Sequence, residues 1–182
     1  MGIFSNIKLS LARFILKNKL KNRKRRKQVV NLDEAKTIGI VYLVSSERTF
    51  KIVKELIKTL SGPRRQVLTI GYVDRKEIPS YCVAANSGYY FNKNELNWLG
   101  MPKNDYLNKF IDQEMDILID LSRDDNFVVD YLTSLSKAKF KIGQFNDDQQ
   151  NRFDFMLKAK KEISFESFID QILHYSMILK SK

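Results

Sequence analysis

The chain has 182 residues, of which 43% are hydrophobic and 12% aromatic, and carries a formal net charge of +11; such a chain fills one domain with a real core, which excludes a mostly disordered protein. Cys82 is the only cysteine and His174 the only histidine, so an internal disulfide and a Cys/His zinc cluster are excluded and a reducing cytoplasm is the expected compartment. No stretch approaches the roughly 18 consecutive apolar residues of a membrane-spanning helix.

Residues 1–30 hold ten basic side chains and no acidic one; taking these ten from 32 leaves 22 basic against 21 acidic groups in residues 31–182. The chain therefore divides into a basic arm, 1–30, and a nearly neutral body, 31–182, and the asymmetry is that of an arm seeking a polyanion. The arm opens with lysines inside its apolar run and no small-residue cleavage site, so a secretory signal is not expected. Asn6 stands where a myristoylation pattern requires Ser or Thr.

Phe4, Ile7, Leu11 and Phe14 recur at helical spacing, which predicts a basic amphipathic N-terminal helix with these four as an apolar docking stripe. From Lys17 the apolar residues thin and like charges crowd together in "KNKLKNRKRRK", so the helix is expected to weaken there unless anions neutralise it. Lys17, Lys19, Lys21, Arg23, Lys24, Arg25, Arg26 and Lys27 are the candidate phosphate-binding residues. Three readings compete: a stripe packed on the body with a merely solvated basic run, contact with RNA such as that of the ribosome, and an anionic membrane surface.

In the body, "TIGIVYLV" (37–44) is a short β-branched run that reads as a buried strand, and "SSERTFKIVKELIKTLSG" reads as a helix capped by Ser45 or Ser46 and stopped at Gly62-Pro63. "QVLTIGYV" (66–73) is a second strand. The aromatic stretch around "GYYF" and Trp98 is less regular and is assigned to core packing over base stacking; Leu107, Phe110 and Ile111 predict a helix after it. "MDILIDL" (115–121) is a third strand, 126–136 a helix capped by Asp124 or Asp125, "KFKIG" (139–143) a fourth strand and "FDFMLKA" a candidate fifth. The closing "SFESFIDQILHYSMIL" has helical spacing and is expected to cover one face of the sheet. Apolar strands alternating with helices imply an α/β fold: a single three-layer Rossmann-like domain with a mainly parallel sheet.

The series "NRKRRK…NLDEAKTIGIVY", "GYVD", "NELNWLG", "MDILIDLS" and "SKAKFKIG" resembles an uncharacterised Bacteroidota family, a domain of unknown function of similar length. The resemblance covers nearly the whole chain and implies a small cytoplasmic α/β protein with a basic leader, without catalytic residues to carry over. "MDILIDLS…LTSLSKAKFKIG" is also similar to a strand-helix-strand piece of heptosyltransferase-like glycosyltransferases, although a second α/β domain to form a sugar-nucleotide cleft is missing here.

Chemistry is sparsely signalled. The turn after the first strand is "VSSERTF", without the glycines that admit a pyrophosphate, and Glu47 would repel one. Strand ends supply a possible crevice of Ser45, Ser46, Asp74, Ser122, Arg123 and Asp124, from which an enzyme acting on a nucleotide or sugar nucleotide is the remote alternative. Neither Cys82 nor His174 has partners for a nucleophilic site, and no cofactor or metal is called for. The sequence thus points first to a non-enzymatic cytoplasmic binding protein whose arm contacts RNA, with the ribosome as a candidate partner. A peripheral membrane protein is the alternative, and in either case the body is free to dock a protein partner.

Overall fold

A computed structural model describes residues 3–83, 88–146, 152–160 and 162–181, with backbone alone for 3–5. Six strands form one sheet: β1 (Thr37–Leu43), β2 (Gln66–Val73), β3 (Tyr89–Asn92), β4 (Ile117–Asp120), β5 (Phe140–Gln144) and β6 (Phe155–Leu157). Their order is β3-β2-β1-β4-β5-β6, and every pairing is parallel. The chain winds outward from β1 in one direction through β3, returns to the centre, and winds out the other way from β4. This is the Rossmann-like doubly wound order, with its switch point between β1 and β4.

The helices are α1 (Ile3–Lys21), α2 (Glu47–Leu60), α3 (Ser80–Val83), α4 (Asp105–Asp112), α5 (Phe127–Leu135) and α6 (Phe165–Ile178). One face of the sheet is covered by α2 and α6, whose Phe50, Val53, Phe168 and Ile172 pack against Ile38, Ile40, Ile117, Ile119 and Ile142. On the other face α4 and α5 cover Val41, Ile70 and Leu118 through Leu107, Phe110, Val129 and Leu132. Burial on both faces explains why the central strands read as continuous apolar runs and do not alternate.

Four local readings are corrected or settled. Tyr89–Asn92 is a strand, β3, hidden in the sequence because it is four residues long and sits at the sheet edge; Phe91 is fully buried, as core packing requires, while Trp98 is 70% exposed. The cap of α5 is Asn126, whose side-chain oxygen accepts from the N–H groups of Val128 and Val129, and not Asp124 or Asp125. Ser46, rather than Ser45, caps α2. The helix of the arm also runs to Lys21, four residues into the basic run, because Leu16 is buried beside α5 and Lys19 donates to the Tyr131 hydroxyl at 2.7 Å.

Candidate functional site

The arm lies on the body through a face that its apolar stripe does not use. Ala12 and Leu16 are buried and Ile15 half-buried against α5 and its neighbours, whereas Ile7, Leu11 and Phe14 are 60%, 41% and 61% exposed. The side chain of Phe4 lies outside the described residues. Helical geometry accounts for the split: Ala12 and Leu16 are one turn apart on a line opposite that of Ile7 and Phe14.

Beyond Lys21 the chain is extended and tied down by two arginines. Arg23 donates from Nε to the Leu135 carbonyl at 2.7 Å, from Nη2 to the Ile111 carbonyl at 2.9 Å and from Nη1 to Asp112 at 2.8 Å. The Arg25 guanidinium grips both oxygens of Asp154 at 2.6 and 2.8 Å and donates to the carbonyls of Ala138 and Lys139. Val30, Leu32 and Ala35 then enter the core on the α2/α6 face. Of the eight candidate phosphate ligands, Arg23 and Arg25 therefore face the body. Lys17, Lys21, Lys24, Arg26 and Lys27 are exposed, and Lys19 is exposed with its ammonium on Tyr131.

Beneath this strap is a cavity of about 760 Å³, bounded by α1, the extended segment, α5 and β5. The arm supplies its roof, through Arg13, Leu16 and Leu20 of α1 and Arg23 to Lys27 of the extended segment. Side chains of a strand alternate between faces, so Phe140 and Ile142 enter the α2/α6 core while Lys141 and Gly143 turn toward α5 and the arm. Lys141 is 2% exposed, and its ammonium donates to the Ser134 carbonyl at 2.8 Å. Burial drives its pKa down to about 7; Arg25, Arg23 and Lys27 push the same way, against Asp154.

A second charged cluster adjoins the first. Asp120, at the end of β4, is fully buried, accepts from the Ser122 N–H and the Thr133 hydroxyl, and pairs with Arg152 at 3.6 Å. Arg152 also pairs with Asp130 of α5, and its guanidinium lies 4.4 Å from the Phe153 ring centre. Burial pushes the Asp120 carboxyl above its ordinary range, with Arg152 opposing. Lys141, Asp130 and Arg152 escaped the sequence reading. Lys141 did leave a signal, a lysine between the buried Phe140 and Ile142; Asp130 and Arg152 are joined only by tertiary structure.

The strand-end residues assemble in part. Ser45, Ser122, Arg123 and Asp124 line a crevice of about 150 Å³ at the switch point between β1 and β4. Ser46 is occupied as a cap, and Asp74 stands apart at the end of β2, accepting from Tyr72 and paired with Lys93. Arg123 is turned to the loop before α6, donating to the carbonyls of Ile163 and Lys160. Cys82 is buried, with its thiol pushed up to about 11 by burial, and His174 is exposed on α6. Among the described residues no group of three or more His, Cys, Asp or Glu side chains is placed to hold a metal, and no helix is long and apolar enough to cross a membrane.

The model of a family of unknown function, DUF6913, matches residues 8–179, from the second turn of α1 to just past the end of α6. The chain belongs to that family. Its match takes in most of the arm together with the body, so the arm is a family feature and not an appendage of this chain. Comparison with curated proteins and with solved structures finds no match.

Proposed function

We propose that this protein is a non-enzymatic binding protein that docks on an anionic membrane surface through the outward side of α1. The observation that carries the reading is the exposure of Ile7, Leu11 and Phe14 on a helix already anchored by its opposite face. Phe14, Lys17 and Lys21 follow one another at helical spacing, and Lys8 is exposed as well, so apolar side chains and cations present together. That is the composition of an interfacial helix: apolar side chains enter the headgroup boundary, and each nearby cation adds about 1 kcal/mol on an anionic leaflet. The inner face of the cytoplasmic membrane is the corresponding location.

Contact with RNA is the second reading, favoured by the exposed Lys21, Lys24, Arg26 and Lys27, which extend the cationic surface past the apolar stripe. Ribosomal RNA is one such partner. Phosphate binding alone leaves the exposed Ile7 and Phe14 unexplained, which is why the membrane comes first. A nucleotide- or sugar-nucleotide-acting enzyme is the least supported, since the switch-point crevice is only about 150 Å³ and small ligands occupy pockets of about 300–1,000 Å³.

Vesicle flotation decides between them. With vesicles containing anionic lipid the protein floats; with neutral vesicles it stays behind. Ile7→Asp with Phe14→Asp abolishes flotation and leaves any salt-sensitive RNA binding unchanged. Flotation that is indifferent to both substitutions, or RNA binding lost along with the stripe, overturns the membrane assignment.

A further inference from the structure

We infer that the cavity roofed by the arm is a binding site for a small phosphorylated ligand, separate from the outward face of α1. Seven cationic side chains line the cavity. Five carboxylates either line it or pair with those cations: Asp112, Asp120, Asp125, Asp130 and Asp154. Among the described residues cations thus outnumber carboxylates around the cavity, which suits an anionic ligand.

Geometry supports the same class of ligand. Arg23 and Arg25 are each held in place by two backbone carbonyls and a carboxylate, so the cationic wall they form is fixed in position. Lys141 is the strongest sign. A fully apolar side chain at this buried strand position would fill space without cost, while a lysine whose ammonium has one carbonyl acceptor leaves two N–H groups for another. Leu16, Leu20 and Phe127 give the cavity an apolar end, so a phosphorylated molecule with an apolar or aromatic portion fits it. Its volume of about 760 Å³ lies within the range of small-molecule sites and excludes a folded polynucleotide. Anion binding would also complete the protonation of Lys141, whose charge is otherwise opposed by burial and by Arg25, Arg23 and Lys27.

Isothermal titration calorimetry of the full chain with inorganic pyrophosphate, at fixed ionic strength, tests the assignment. One saturable site is expected, with at least a tenfold loss of affinity in Lys141→Met and a smaller loss in Lys24→Ala at the rim. Lys51→Ala, which removes the same charge from α2 on the far side of the sheet, leaves affinity unchanged. Vesicles bearing a phosphorylated headgroup, run against soluble pyrophosphate, separate a lipid source from a free one: competition between the two places the headgroup in the cavity. Ile7→Asp with Phe14→Asp retains pyrophosphate binding, so failure of the membrane reading and of this one are distinguishable. Absence of a saturable heat, or an equal loss in Lys51→Ala and Lys24→Ala, overturns the inference; should Lys141→Met fail to fold, the rim and control variants still decide it.

Discussion

Replacing Lys141 by methionine keeps an unbranched side chain, one atom shorter, and removes its charge, and the consequence is a change in how stability depends on pH. The native ammonium titrates at about 7 against an ordinary value of 10.5. Between these values the unfolded chain holds a proton that the native chain has released, so wild-type stability rises with pH across the window; below about 7 both states hold the proton and the dependence flattens. At about 1.4 kcal/mol for each pH unit in which the two states differ by one proton, the wild type gains about 2 kcal/mol between pH 7 and pH 9 from this group alone. The variant lacks that gain. Lost contacts such as the bond to the Ser134 carbonyl weigh equally at both pH values, so they cancel when urea unfolding of each protein is compared at pH 7 and pH 9. Equal pH responses in the two proteins would falsify the account of Lys141 as a buried, charge-strained lysine.

Arg25→Ala removes the clamp that ties the arm to the body and leaves Asp154, which is only 16% exposed, with the more distant Lys27 and the Lys141 N–H alone; a loss of about 3 kcal/mol is expected in urea unfolding, and a loss below about 1 kcal/mol would show the strap to be incidental. Gly143→Ala drives a methyl group into the Phe153 ring, an overpacking expected to cost about 1–3 kcal/mol. Phe153→Leu in the same background relieves the clash, so additive costs in thermal unfolding of the pair would contradict the contact.

Most of the architecture was legible in the chain because a doubly wound fold writes itself locally. Strands buried on both faces must be apolar throughout, as 37–44 and 66–73 are, and the helices between them must bury one stripe, as Phe50, Val53, Leu56 and Leu60 do in α2. The edge strand β3 escaped because four residues, two of them half-buried tyrosines, carry too little pattern. Asn126 was passed over for the neighbouring aspartates because both residue types cap helices well and only backbone geometry chooses among the three positions.

The sequence by itself determined the division between cationic arm and neutral body, the α/β class and the helical spacing of Ile7, Leu11 and Phe14, since each follows from residue type and short-range period. Tertiary structure decided which side of α1 meets the body, that Arg23 and Arg25 turn inward, and that Lys141, Asp130 and Arg152 flank one cavity. These are relations between residues separated by eleven to more than a hundred positions in the chain, fixed by how the sheet is wound. A charge count along the chain cannot distinguish a lysine facing solvent from one facing its own fold, because the difference is a matter of direction in space.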